Sequence, residues 1–224
     1  MNLALFDLDY TLLAGDSDHA WGEFLVSCGL IDGEEYRRKN DHFWANYKAG
    51  ILDIHAYLEF ALSFLAGRSV VDMAPLHADY LEHVVKPMIH HNALNLVRHH
   101  RERGDLTAIV TATNAFLTAP MKDLFAVDHL IACEVEIVDG HYTGRSIGVP
   151  SMREGKITRV ESWLAESGRS IASFERSYFY SDSLNDLPLL SVVTHPVAVN
   201  PDATLRDHAK TQGWPIHDLI ETTR

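Results

Sequence analysis

Cysteine is nearly absent: Cys28 and Cys133 are the only two in 224 residues. That is too few for the disulfide framework of a small secreted domain, so both read as reduced thiols of a cytoplasmic protein, Cys28 on an apolar helix face. Basic residues are also scarce, with 19 Lys and Arg against 31 Asp and Glu and a formal net charge of −12. That balance argues against a nucleic-acid surface or a basic membrane-binding face. No apolar run approaches the length of a membrane span, and the N-terminus lacks the basic flank and apolar stretch of a secretion signal. Repeats and low-complexity tracts are missing, and nothing speaks to oligomeric state. What remains, 46% hydrophobic and 22% charged residues, is the composition of an ordinary globular domain, with room for a smaller inserted one.

The first apolar run, Leu3 to Phe6, reads as a buried strand. Helical patterns follow. Gly15-Asp16-Ser17-Asp18 opens a helix carrying Trp21, Phe24, Leu25 and Cys28. Asp32 and Glu35 open a polar, aromatic-bearing helix that stops near Gly50. Ile54, Tyr57, Leu58, Ala61 and Leu62 mark an amphipathic helix ending at Gly67, and Ser69 starts another running to Pro87. Residues 15–87 thus form an all-helical insert. Strand and helix then alternate: a helix near 90–103, a strand from Leu106, a helix over 116–125 disturbed by Pro120, and a short strand at 129–134. A hairpin turns at Asp139-Gly140, Ser151 and Glu154 cap a helix reaching Gly168, strands lie at 177–180 and 196–199, and a last helix starts at Asp202. This predicts an α/β fold, a Rossmann-like, doubly wound, mainly parallel sheet of residues 1–14 and 88–224, with the insert as a second unit. Ligands in such sheets bind beyond the carboxyl ends of the strands.

Three strands end in polar residues: Asp7 and Asp9, Thr111, and Asp182 with Asp186. Asp7 and Asp9, two apart on a strand, share a side and either cap a turn and face solvent or converge on a cation that offsets their repulsion. Thr111 is a strand-end cap or, with the amides after it, an anion site at a helix start. Asp182 and Asp186, at i and i+4, share a helical face, as cap and solvated acid or as ligands. Lys156, near a helix N-terminus, is solvated or faces an anion.

These residues resemble the four ordered motifs of the haloacid dehalogenase superfamily, in its phosphoserine-phosphatase-like branch. Asp7-Leu8-Asp9-Tyr10-Thr11 matches the first motif, Thr111 the second, Lys156 the third and Asp182-Ser183-Leu184-Asn185-Asp186 the fourth. The insert falls where that branch carries a helical cap. The resemblance implies a phosphatase in which Asp7 attacks phosphorus and Asp9 serves as acid and then base. It implies Mg²⁺ on the Asp7 side chain, the Asp9 carbonyl and Asp182, with Asp186 acting through a water. Thr111, Ala112, Lys156 and Asn185 would meet the phosphoryl group. Asp9 also argues for phosphate-ester rather than carbon–halogen hydrolysis, because the dehalogenases lack that second acid.

The implied partner is a small phosphate ester, phosphoserine or, somewhat favoured, histidinol phosphate, as in similar short capped chains. Asp16 and Asp18 are helix caps or, by the same resemblance, contacts for a substrate ammonium. A phosphoacceptor receiver domain is the competing class, since it also sets aspartates, a threonine and a lysine on an α/β sheet. Receivers usually lack both an insert after the first strand and a late Asp-x-x-x-Asp. A metal-storage role for the 14 histidines has no support, because adjacent pairs such as His99/His100 point to different sides of a helix.

Overall fold

A computed structural model describes residues 1–220. The chain order is β1 (Leu3–Phe6), α1 (Ser17–Ser27), α2 (Gly33–Lys48), α3 (Ile54–Leu62), α4 (Val70–Tyr80), α5 (Lys86–Met88), α6 (His91–Glu102), β2 (Leu106–Asn114), α7 (Ala115–Thr118) and α8 (Met121–Phe125). Then come β3 (His129–Val138), β4 (His141–Ile147), α9 (Glu154–Ala165), β5 (Ser177–Ser181), α10 (Leu187–Val192), β6 (His195–Val199), α11 (Ala203–Gln212) and β7 (Ile216–His217). The sheet runs β4-β3-β2-β1-β5-β6-β7. Every pairing is parallel except β3 with β4. The expected α/β architecture is therefore present.

All four residues of β1 are fully buried, which fits a central strand covered on both faces. Period-two alternation divides its side chains between two cores. Ala4 and Phe6 join Ile109 and the apolar faces of α6 and the inserted helices. Leu3 and Leu5 join Ala108, Val110 and the apolar faces of α9, α10 and α11. Because β2 and β5 flank β1, the three strands whose ends carry the polar motifs are neighbours. Their carboxyl ends form one rim.

The insert begins at a sidechain-capped helix: Asp16 Oδ1 accepts the Asp18 and His19 amides, both at 2.9 Å. Asp32, Asp53 and Ser69 cap α2, α3 and α4 in the same way. Gly22 lets α1 and α2 approach closely, since a Cβ there would lie 2.0 Å from the Tyr36 hydroxyl. After α4 the chain continues through a π-helical turn, Leu81–Val85, into α5.

Several details differ from expectation. Cys28 is the exposed C-cap of α1 rather than part of its apolar face; Cys133 is buried, and both thiols are free. The helix expected over 116–125 is two short ones, α7 and α8, parted at Pro120. Ser151 does not cap α9. Arg153, in a left-handed conformation at φ 50°, stands before the helix without a side-chain cap. Ser151 lies ahead of that position and its buried Oγ has no hydrogen-bond partner, while the Pro150 carbonyl is 2.0 Å from where a Gly155 Cβ would sit. The hairpin turn is as expected, with Asp139 and Gly140 both at positive φ. Strand β7 had no counterpart in the sequence pattern.

Candidate active site

The loop after β1 is pinned by its leucines. Leu8, Leu12 and Leu13 are fully buried, and the Leu8 carbonyl accepts the Leu12 and Leu13 amides at 2.8 and 3.0 Å. The Asp7 amide donates to the Tyr180 carbonyl at 2.9 Å, carrying the β1–β5 pairing one residue beyond the strand. Asp7 and Asp9 therefore leave a rigid base on the rim.

Lys156 reaches this rim from the first turn of α9. Its Nζ donates to Asp7 Oδ1 and to Asp186 Oδ2, each at 2.7 Å, and the residue is 2% exposed. Ser181 Oγ also donates to Asp186 Oδ2 at 2.7 Å. Burial pushes the Asp7 carboxyl up to about 6, with Lys156 opposing and Asp186 adding to the rise. Burial disfavours the Lys156 ammonium, but Asp186 and Asp7 beside it hold its pKa above the ordinary lysine range. Burial, and then the Asp7 and Asp186 charges, raise Asp182 well above the carboxylate range. The Asp182 contact with Thr11 Oγ1, at 3.5 Å, is too long to offset this.

Three carboxylates thus gather about one ammonium that bonds two of them, Asp7 and Asp186, and a second cation would relieve the set. Hard oxygen donors suit Mg²⁺, which keeps several waters and needs one or two carboxylates from the protein. Among the described residues no group of three acidic, histidine or cysteine side chains converges at metal-ligand spacing. A main-chain carbonyl and water must then complete any such shell, as the resemblance implies for the Asp9 carbonyl.

Asp9 is held at both oxygens. The Ser17 amide donates to Oδ1 at 2.6 Å and Thr113 Oγ1 donates to Oδ2 at 2.7 Å. Burial, and next Asp16, push its pKa up to about 8, with the Ser17 and Thr113 hydrogen bonds offsetting part. Thr111 is buried, and its Oγ1 accepts the Thr113 amide at 3.0 Å, leaving the hydroxyl proton free for another acceptor. Thr111 does not stand at a helix start: α7 begins only at Ala115, behind an Asn114 cap. Nor do Asp182 and Asp186 share a helix, because Asp182 follows β5 and Asp186 closes a 3₁₀ turn, Leu184–Asp186. Both acids still face the same cavity.

That cavity, about 190 Å³, is lined by Asp7, Asp9, Thr111, Ala112, Lys156, Asp182, Asn185 and Asp186 from the sheet rim, and by Asp16 and Asp18 from the insert. Every residue singled out in the sequence is there. The Asn185 amide is turned to the insert, donating to the Tyr47 carbonyl at 3.2 Å. Sequence reasoning missed the roof, where Asn40, Phe43, Trp44 and Tyr47 of α2, with Tyr57 of α3, close the cavity. The signal was available: positions 40, 43, 44 and 47 share one helical face, an aromatic stripe on an otherwise polar helix. Asp18 is 4% exposed and its Oδ2 has no hydrogen-bond partner. Burial, and next Asp16, push it up to about 7, with the Tyr57 hydroxyl opposing.

The chain is similar to known proteins over nearly its whole length. It is 46% identical to a histidinol-phosphatase of Neisseria meningitidis serogroup C, covering 96% of this chain and 97% of that one. It is 32% identical to a phosphoserine phosphatase of Mycobacterium tuberculosis, over 96% of this chain and 70% of the relative. Among solved structures, a protein of unknown function from Bordetella pertussis Tohama I superposes with a TM-score of 0.92 at 48% identity, over 98% and 99% of the two chains. A substrate-bound phosphoserine phosphatase shares the fold, with a TM-score of 0.69 at 17% identity over 97% and 93% of the chains. The family model for haloacid dehalogenase-like hydrolases matches residues 4–191; with the rim of acids, threonine and lysine described above, the chain belongs to that family.

Proposed function

We propose that this protein is a Mg²⁺-dependent phosphomonoesterase acting through an aspartyl phosphate on Asp7, and that its substrate is a cationic amino-alcohol phosphate of the histidinol phosphate type. The observation that carries the reaction class is the Lys156 ammonium 2.7 Å from Asp7 at the end of the central strand. A carboxylate there can attack phosphorus while fixed positive charge and donors face the equatorial oxygens.

In this reading one Asp7 oxygen bonds to phosphorus as the ester P–O bond breaks, and Asp9 delivers its proton to the departing oxygen. Asp9, now a carboxylate, takes a proton from the water that attacks phosphorus. Phosphate leaves and Asp7 is regenerated. Lys156, the Thr111 hydroxyl and the Ala112 amide bind phosphoryl oxygens, with Asn185 beside them. Mg²⁺ would rest on Asp7, Asp182 and the Asp9 carbonyl, with Asp186 behind a water. When bound it supplies the positive charge that lets carboxylate and phosphoryl group approach. Residues 15–87 act as a cap over the core of residues 1–14 and 88–224, and a cavity between them of this size suits a small metabolite.

The choice of substrate rests on the cavity wall. Its basic side chains among the described residues are Lys156 and His19. The first sits between Asp7 and Asp186 at the phosphoryl site, and the second bonds Asn40. The α-carboxylate of phosphoserine would therefore lack a partner, at the cost of a buried unpaired charge. A cationic group has one in the free oxygen of Asp18, and the aromatic side chains of α2 and α3 offer faces to a flat ring. Asp16 is tied to the α1 amides through Oδ1, whereas the buried Asp18 Oδ2 has no partner, so Asp18 is the better contact. Hydrolysis of histidinol phosphate, phosphoserine and a generic aryl phosphate, each with Mg²⁺, tests this. A higher kcat/KM for phosphoserine than for histidinol phosphate would refute the substrate; hydrolysis of none would refute the reaction.

A further inference from the structure

Asp9 is gripped from two directions. One carboxyl oxygen accepts the Ser17 amide of the insert at 2.6 Å, and the other accepts the Thr113 hydroxyl of the core at 2.7 Å. Each donor is itself held. The Ser17 carbonyl accepts the hydroxyl of Tyr80, a fully buried side chain at the end of α4. The Thr113 amide is fixed on Thr111 Oγ1 at 3.0 Å, and Thr113 is 6% exposed. Two rigid donors on the two oxygens of one carboxyl set the plane of that carboxyl.

The donors differ chemically. An amide N–H only donates. A threonine hydroxyl donates to one lone pair of a carboxyl oxygen, leaves the other for a transferable proton, and can rotate to follow the carboxyl. We infer that Thr113 is a positioning residue for proton delivery: its hydroxyl keeps Asp9 aligned in both protonation states and stabilises the carboxylate formed when the leaving oxygen is protonated. The proton balance is closed. As the ester P–O bond breaks, the Asp9 proton passes from Oδ2 to the departing oxygen, while the Thr113 O–H donates to the other lone pair of Oδ2. In the second half the freed lone pair accepts a proton from water, and the Thr113 O–H stays on Oδ2.

This inference rests on the assignment of Asp9 as the acid in the proposed function, and its consequence is selective. An alkyl phosphate, whose alkoxide is a poor leaving group, depends on the proton. An aryl phosphate with an acidic phenol depends on it little. Because kcat/KM reports steps up to the first irreversible one, the ratio of kcat/KM for the alkyl ester to that for the aryl ester isolates proton delivery from later hydrolysis of the intermediate. Thr113→Val, which keeps the shape and removes the hydroxyl, is expected to lower that ratio roughly 10- to 100-fold, the range for loss of a hydrogen bond to a charged group. Thr113→Ser is expected to restore the ratio to within about threefold of wild type, as the order expected for a retained hydroxyl. If the valine variant does not fold by its melting curve, Thr113→Ala is read in its place. An unchanged ratio in the variant lacking the hydroxyl, or a serine variant as poor as that one, overturns the role. Asp9→Asn on the same esters separates the two levels: a ratio unchanged there refutes Asp9 as the acid, whereas a ratio that falls there but not in Thr113→Val refutes Thr113 alone.

Discussion

Replacing Lys156 by methionine gives the sharpest electrostatic prediction. The methionine side chain is of similar length and shape, so packing is largely kept while Asp7 and Asp186 lose the one ammonium between them. Removing one partner from a buried ion pair costs about 3–5 kcal/mol, because a buried charge is left uncompensated. For a chain of this size that is a drop in Tm on the order of 10 °C. The pH dependence has a defined sign. Asp7 already titrates above its ordinary value, pushed up to about 6 by burial against the opposing Lys156; without the lysine it rises further. The folded state then binds more protons than the unfolded one, so stability falls as pH rises through the folded pKa and recovers toward the unfolded value near 4. Melting curves in chelator should therefore show a deficit against wild type that is large near pH ~8 and small near pH ~5, the window set by those two pKa values. Lys156→Met/Asp186→Asn should recover part of the loss by removing one of the two stranded charges. A deficit of constant size across that range, or none, would refute the argument that Lys156 offsets these carboxylates.

Three further outcomes are expected. Chelation should abolish turnover and Mg²⁺ restore it, while Ca²⁺ should bind with little turnover because its looser shell misplaces the attacking oxygen; full activity in chelator would remove the metal from the account. Asp18→Asn should lower kcat/KM for a cationic amino-alcohol phosphate by about tenfold or more, as for a buried charge pair, and spare an aryl phosphate, whereas Asp16→Ala should act mainly on stability, about 1 kcal/mol as for a lost helix cap; equal effects of the two on all substrates would contradict the assignment. His100, buried between Asp105 at 2.9 Å and the Tyr180 hydroxyl at 2.7 Å, has its pKa lowered by burial, with Asp105 opposing. The unfolded state therefore binds more protons near pH ~6, stability falls as pH drops through that range, and His100→Gln should flatten the slope of Tm against pH; an unaltered slope would exclude His100 as its source.

The sheet and its rim were legible because buried strands cannot carry acids without cause. Asp7, Asp9, Asp182 and Asp186 stand out against the apolar runs before them, and β2-β1-β5 adjacency brings them together. The helix caps Asp16, Asp32, Asp53 and Ser69 were legible for the same local reason, an acceptor placed before a periodic run. What escaped depends on contacts between distant segments. Nothing near Thr113 in the chain says that its hydroxyl meets Asp9, 104 positions away. The aromatic stripe of α2 looks like any half-buried face until the cavity beneath it is seen. Ser151 failed as a cap because the chain enters the helix only after Arg153, at positive φ, and no local propensity encodes that turn.

The central claim is covalent attachment of phosphate to Asp7, and its most direct test is acid quenching of the wild-type enzyme during turnover, followed by mass spectrometry of its peptides. One phosphoryl group is expected on the peptide containing Asp7, formed and lost over many cycles of substrate hydrolysis and missing in Asp7→Asn, which should also be inactive. A phosphoryl group on another residue, turnover by the asparagine variant, or a single phosphorylation without further release of phosphate would contradict it.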